Sequence, residues 1–295
     1  MMKILFVGCV ESSYRLLAEL MKYNKHIVGV ITKESSDFNS DYMDLRLLCE
    51  KQDIPCHYVK NINDEDSLEF IRACKADICY CFGWSQLLRK ECIDLFPQGV
   101  VGFHPAYLPH NRGRHPLIWA LALGLEETAS TFFMIDVGAD EGAIISQRPI
   151  KIDYEDDARI LYNKVMETAV MQVIEFTVEL EQGIATLTPQ DISAGNTWRK
   201  RGRNDGRIDW RMTSRSIYNL VRSLAKPYVG AHIEYEGREY KVWRAAELSV
   251  PGKENIEPGK VLAVNPDGTI DVKAGSDAVR LLEHDPMEIK AGDYL

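Results

Sequence analysis

KILFVGCVESSYRLLAELMKYNKHIVGVIT, residues 3–32, is the stretch that decides the fold. Residues 3–7 form a β-rich apolar run, broken by Gly8. SSYRLLAELMKY then carries apolar residues at helical spacing, with Ser12 or Ser13 placed to cap the helix. HIVGVIT, residues 26–32, reads as a second strand. Strand, helix and strand in this order begin a parallel sheet with a right-handed crossover. Gly8 is alone in the first turn, so the GxGxxG of a dinucleotide fingerprint is absent.

The same alternation continues outward. Residues 45–52 read as a short helix, 55–59 as a strand, 64–74 as an amphipathic helix and 76–82 as a buried strand. After the GWSQLL turn come a helix over 89–96 and a strand over 99–103. Beyond a central block, 150–152 is a strand. Residues 156–182 are a long helix whose apolar stripe is Leu161, Val165, Ala169, Val173, Phe176 and Leu180, closed by Gly183. This predicts an α/β, Rossmann-like parallel-sheet domain over 1–190. The polar stretch 191–206, which holds Arg199, Lys200, Arg201 and Arg203, reads as a linker. Over 207–295 one helix and five short alternating strands, with turns at Glu236-Gly237, Pro251-Gly252 and Asp267-Gly268, predict a small OB-like β-barrel.

Bulk properties narrow the function. The 295 residues suit one large domain or two modest ones. A formal net charge of −9 argues against general affinity for nucleic acid or membranes. The first apolar run is too short to span a bilayer and lacks a small-residue cleavage site, so it reads as a buried strand. Seven cysteines, all before residue 93, make a poor disulfide framework. Cys79 and Cys81 flank Tyr80 without a second pair to complete a zinc site. They read as buried thiols of a cytoplasmic protein, and no metal is expected.

The chemistry concentrates in residues 99–148. The strand over 99–103 delivers His104 to its end, where Pro105 removes an amide hydrogen and holds His104 extended. Carboxyl ends of parallel strands are where functional groups of such sheets tend to sit. A second apolar run, FFMIDVGADEG, ends in Asp136 and Asp140, with Gly138 and Gly142 permitting a tight loop. An imidazole and a carboxylate are the minimum for general base chemistry. Between them Arg112 and Arg114 suit an anionic ligand.

HPAYLPHNRGRHPLIWAL (104–121), then FFMIDVGADEGAI (132–144), resembles the folate-dependent formyltransferases, which include the methionyl-tRNA, glycinamide ribonucleotide and sugar N-formyltransferases. The spacing of 36 residues from His104 to Asp140 is similar to the family's. The block from Gly206 to Trp243, with GRIDW, IYNLVRSL, KPYVGAH and YKVW, resembles the C-terminal domain of the tRNA and sugar branches. The resemblance implies 10-formyltetrahydrofolate as cosubstrate and formyl transfer to an amine. His104 would move protons between the attacking amine and the leaving nitrogen, and Asp140 would favour the protonated imidazole. The family's pterin pocket implies folate contacts from Trp84, Gln86, Leu87 and Leu88, from Arg114, and from Asp136, Val137, Gly138, Ala139 and Asp140.

One position departs from the family. Most members carry asparagine two residues before the histidine, where its amide helps hold the formyl oxygen; this chain has Gly102. Three substitutes are open: the amide of Asn111, a water or backbone N–H in the vacated place, or protonated His104 alone.

The acceptor is read from charge. The loop over 34–44 is acidic (Glu34, Asp37, Asp41, Asp44), and residues 251–295 hold five Lys/Arg against nine Asp/Glu. Neither surface welcomes tRNA phosphates. Residues 199–226 hold nine Lys/Arg against two Asp, which suits a diphosphate. KPYVGAH also looks more like the sugar branch. The reading is therefore an N-formyltransferase for a nucleotide-linked amino sugar (UDP- or dTDP-linked, including pseudaminic-acid-type precursors). Tyr107, Asn219, Arg222 and Tyr228 are its candidate substrate contacts. Methionyl-tRNA formyltransferase and a catalytically impaired folate-binding protein are the alternatives. A homodimer through the C-terminal barrel is the working expectation for assembly, with no membrane partner.

Overall fold

Residues 3–32 form β1 (Ile4–Val7), α1 (Glu11–Lys22) and β2 (Ile27–Thr32) in a computed structural model that describes residues 1–36, 41–136, 138 and 140–295. Helix α1 starts one turn earlier than a serine cap predicts. Val10 stands at its N-cap, and Ser13 Oγ accepts from Val10 N–H (3.3 Å) while donating to Phe82 O (2.6 Å). The serine thus ties the start of the helix to the end of a neighbouring strand.

The chain continues through α2 (Arg46–Glu50), β3 (Cys56–Tyr58), α3 (Glu65–Cys74), β4 (Ile78–Cys81), α4 (Lys90–Ile93), β5 (Val100–His104), the two-residue β6 (Arg112–Gly113) and α5 (Pro116–Ala122). Next are β7 (Glu127–Met134), β8 (Ile144–Lys151), α6 (Ala158–Gln182), β9 (Thr197–Trp198) and α7 (Ser214–Ser223). Strands β10 (Ala231–Tyr235), β11 (Arg238–Leu248), β12 (Val261–Val264), β13 (Ile270–Lys273) and β14 (Ala278–His284) complete it. By contacts it divides into two compact units. One comprises Met1–Gly113, Ala129–Ile150 and Asn163–Trp198; the other comprises Arg114–Thr128, Lys151–Tyr162 and Arg199–Leu295.

The first unit holds a seven-stranded sheet of order β3-β2-β1-β4-β5-β7-β8. Strands β1 to β5 pair in parallel, but β7 runs antiparallel to β5, with Thr131 opposite His104 and Phe133 opposite Gly102. The sheet is therefore mixed and not wholly parallel: the chain re-enters beside the carboxyl end of β5, the end from which it left. Strand alternation sorts the core into two faces. Phe6, Tyr80, Phe82, Phe103 and Phe132 line one, where Phe176 of α6 joins them at 4.8 Å from Phe132 and 5.7 Å from Tyr80. Leu5, Val7, Cys79, Cys81 and Val100 line the other with Leu68, Ile71, Cys92 and Phe96. The paired cysteines are thus core side chains, and burial pushes the Cys79 and Cys81 thiols well up. Gly102 and His104 follow Val100 at period two, which sets the imidazole on that second face.

In the second unit, α7 lays Ile217, Leu220, Val221 and Leu224 against Ile233, Val242, Val272 and Leu281 of a five-stranded antiparallel sheet, order β10-β11-β14-β13-β12. The expected barrel does not close among the described residues, because each edge already has a partner. Residues 207–208 bond the edge of β10 through Ile208 N–H to His232 O. The C-terminal tail bonds β12 through Val261 N–H to Asp293 O and Leu295 N–H to Gly259 O.

Phe132 is fully buried among Phe82, Phe103 and Phe176. Phe132→Ala is expected to lower the unfolding free energy by about 3–5 kcal/mol in urea denaturation. A loss under 1 kcal/mol would mean that this aromatic cluster does not carry the core.

Candidate active site

His104 closes β5 and is 5% exposed. The loop after it is held from beneath by the antiparallel neighbour. Thr131 Oγ1 donates to Ala106 O (2.7 Å), and Gln147 Nε2 donates to Leu108 O (2.9 Å) and to Thr131 Oγ1 (3.0 Å). The loop then turns at Asn111 (φ 63°) so that Asn111 O meets His104 Nε2 at 2.9 Å. A carbonyl oxygen only accepts, so Nε2 is the protonated ring nitrogen and Nδ1 faces the other way.

What Nδ1 faces is Asp140, whose Oδ2 lies 3.7 Å off. The same oxygen accepts from Gly113 N–H at 3.0 Å, which fixes the carboxylate beside the ring. Gly113 takes φ 97°, and a Cβ there would collide with Trp198 O, so only glycine can present this N–H. Strand β7 ends at Met134, opposite Val101, three residues below His104. The segment after it must therefore turn back toward the imidazole. Met134 N–H donates to Ala143 O at 2.8 Å to close this turn, and Gly142 lies against Met134 O with no room for a side chain.

Gly102 is packed shut. A Cβ there would stand 2.9 Å from Phe133 Cζ and 2.9 Å from Ile135 Cγ1. The buried Phe133 ring occupies the direction an asparagine side chain would take, so a water in the vacated place does not fit this packing. Arg112 supplies buried donors nearby in the chain. It is 7% exposed, its Nε and one terminal nitrogen have no hydrogen-bond partner, and its nearest carboxylate, Glu141, is 3.8 Å away. Buried guanidinium N–H groups without partners are costly unless a ligand completes them.

The expected folate loop is partly engaged in its own support. Gln86 accepts from Ile62 N–H (3.1 Å) and donates to Lys60 O (2.6 Å). Leu88 and Trp84 pack on the second core face, while Leu87 is 77% exposed. Trp84 Nε1 is buried without a partner, and Lys33 lies 5.0 Å from the ring centre. Asp136 is exposed, and Gly138 lies against the Glu141 carboxylate. Val137, Ala139 and Asp37 lie outside the described residues. Tyr107 is 39% exposed on the loop after His104.

The remaining expected residues lie in the second unit. Arg222 is buried and hydrogen-bonded to the carbonyls of Asp153, Tyr154 and Asp156 and to Asn219 Oδ1, at 2.9–3.0 Å. Asn219 is buried in the same network. These bonds hold the Arg222 guanidinium and the Asn219 side-chain oxygen in place. Tyr228 packs on the core of α7. Arg114 is exposed. Around Trp119, Arg201 and Arg199 stack at 4.5 and 5.3 Å from the ring centre, and Trp119 Nε1 donates to Arg199 O. Burial, then Arg114, Arg201 and Lys200, push the His115 imidazole down, while the Arg199 guanidinium holds Asp205 well below the usual carboxylate range.

Residues 191–198, expected as part of the linker, fall in the first unit together with Gln190, and this stretch bonds into both site loops. Gln190 Nε2 donates to Asp140 O and Gly142 O, and Asn196 Oδ1 accepts from Asn111 N–H. No hydrophobic period marks this stretch, and amide-to-backbone bonds leave no sequence pattern.

Among the described residues no cluster of three or more His, Cys, Asp or Glu is placed to hold a metal ion, and no helix is long and apolar enough to cross a membrane. Two family models match: one described as formyl transferase over residues 2–177, the other as formyl transferase, C-terminal domain, over 201–294. HypX from Aquifex aeolicus in complex with tetrahydrofolic acid superposes with a TM-score of 0.68 at 21% identity, covering 95% of this chain and 43% of that one. This chain thus spans less than half the length of HypX. An N-formyltransferase from Helicobacter canadensis in complex with folinic acid and dTDP-3-aminofucose gives 0.71 at 16% identity, covering 95% and 99%. Methionyl-tRNA formyltransferase from Clostridium thermocellum gives 0.61 at 17%, covering 83% and 93%. At these identities the likeness is one of fold.

Gly102→Asn forces Phe133 and Ile135 aside and is expected to cost about 1–3 kcal/mol in chemical denaturation. A variant as stable as the parent would show that the position is open after all.

Proposed function

Because the chain belongs to the formyl transferase family, we propose that it moves the formyl group of 10-formyltetrahydrofolate to the amino group of a nucleotide-linked amino sugar. The observation that carries this is the pairing of His104 and Asp140. The imidazole keeps its Nε2 proton on Asn111 O at 2.9 Å, which leaves Nδ1 to exchange protons, with a pinned carboxylate 3.7 Å away.

In this reading the amine nitrogen bonds to the formyl carbon, and the bond from that carbon to folate N10 breaks. The amine loses one proton and N10 gains one. His104 takes the first at Nδ1 and returns it to the leaving nitrogen, and Asp140 gives that transient cation an anion to face. Negative charge on the formyl oxygen needs donors. Gly102 has no side chain to offer, so the buried N–H groups of Arg112 that make no hydrogen bond among the described residues and the amide of Asn111 are the groups assigned to it.

The 84–88 loop fits a pterin. Trp84 keeps a buried N–H without a partner, and Leu87 and Leu88 supply apolar surface. Gly138 is assigned to meet the folate with its backbone groups. Folate supplies an activated formyl group there, and the residues orient it. The second unit carries positive charge of the kind a nucleotide diphosphate requires, with Arg199 and Arg201 beside the Trp119 ring and Arg114 and Lys200 adding to the field that pushes the His115 imidazole down. Tyr107 is assigned to the sugar. The Helicobacter canadensis relative, with dTDP-3-aminofucose bound, supports this acceptor class.

The test follows folate deformylation spectroscopically with UDP-, dTDP- and GDP-linked amino sugars and total tRNA. Turnover with one sugar nucleotide, reduced about 10²–10⁴-fold by His104→Ala, is expected. Turnover with tRNA alone, or no turnover with any acceptor although folate binds, would contradict the proposal.

A further inference from the structure

His104 ends β5 just before the loop 105–113, Asp140 lies on a second loop after β7, and a third segment is bonded to both loops. On the His104 side, Asn196 Oδ1 accepts from Asn111 N–H at 2.8 Å and Asn196 O accepts from Arg112 N–H at 3.1 Å. β9 pairs with β6 in the next two residues. Gly195 lies against Pro109 O so closely that no side chain fits there. On the Asp140 side, Gln190 Nε2 donates to Asp140 O at 3.0 Å and Gly142 O at 2.6 Å. Thr188 and Ile144 exchange N–H and C=O at 2.8 Å each way.

Asn111 in turn carries the carbonyl that holds His104 Nε2. One amide therefore stands behind the imidazole and another behind the carboxylate, both on one short stretch. Gln190 Oε1 is meanwhile buried with no hydrogen-bond partner among the described residues.

We propose that residues 188–198 are a strap that sets the separation of His104 from Asp140, with Gln190 and Asn196 as positioning residues. The catalytic part of this rests on the formyl-transfer reading. The two amides work in opposite senses, Gln190 as donor to two carbonyls and Asn196 as acceptor from one N–H. Gln190→Glu sets a carboxylate against two carbonyl oxygens and loses the clamp. Asn196→Asp keeps an acceptor for Asn111 N–H, now charge-assisted, whereas Asn196→Ala removes it.

The experiment measures kcat and KM for formyl transfer together with the ring ¹⁵N chemical shifts of His104 in the full chain without substrate. Melting temperatures confirm that each variant is folded. Gln190→Glu and Asn196→Ala are expected to lower kcat by about 10–10²-fold, as small misplacements do, with KM for folate within about twofold and the ring shifts moved. Asn196→Asp is expected to restore what Asn196→Ala loses. Asn196→Asp as damaging as Asn196→Ala, or Gln190→Glu with unchanged kcat and ring shifts, would overturn the strap. If the parent chain transfers no formyl group, the functional reading falls on its own, and the ring shifts still decide the strap: moved in Gln190→Glu they support it, unmoved they overturn it.

Discussion

Strand β7 runs against β5 with Thr131 beside His104, and much of the site follows from that register. It places a hydroxyl where it can hold Ala106 O, so the loop that carries the histidine onward is bonded to the sheet and not left in solvent. It also carries the chain past the imidazole and ends the strand at the level of Val101. The carboxylate therefore has to be returned by a tight turn, which is why Gly142 can have no side chain against Met134 O. A one-residue slip would exchange the faces of β7. Phe133 would then leave Gly102 uncovered, and Phe132 would leave the aromatic core.

The imidazole is oriented by atoms that belong to the backbone. Asn111 O fixes which nitrogen is protonated, and Gly113 N–H fixes the carboxylate. Backbone groups are rigid once their turn is set, and two left-handed residues, Asn111 and Gly113, set it. Side chains that read as ligand contacts are meanwhile engaged in support. Arg222 closes three carbonyls of the 153–156 turn, and Gln86 ties its loop to residues 60–62. The buried donors of Arg112 are different: among the described residues its Nε and one terminal nitrogen have no hydrogen-bond partner, and Glu141 stands off at 3.8 Å.

The βαβ start, the period-two strands and the stripe of α6 were legible because burial imposes a period on sequence. The place of His104 at a strand end was legible because a polar residue that ends an apolar run before proline is conspicuous. The reversal of β7 was not, since a linker with one short helix suits either direction. The open C-terminal sheet escaped for a related reason: the tail that covers β12 has no strand pattern of its own. The bonds of Arg222 to Asn219 and to the 153–156 carbonyls were not legible, because residue type does not reveal which neighbouring carbonyl a polar group meets. The filling of Gly102 by Phe133 depends on a cross-strand neighbour 31 residues away, which only the register supplies.

The most direct measurement is a crystal structure of the chain with folinic acid, an unreactive formyl folate, and a nucleoside diphosphate. The pterin is expected on the 84–88 loop and the folate's reacting end within about 3–3.5 Å of His104, the range of a near-attack geometry, with Asp140 still bonded to Gly113 N–H. Folate bound elsewhere, or seated with that end turned away from His104, would contradict it.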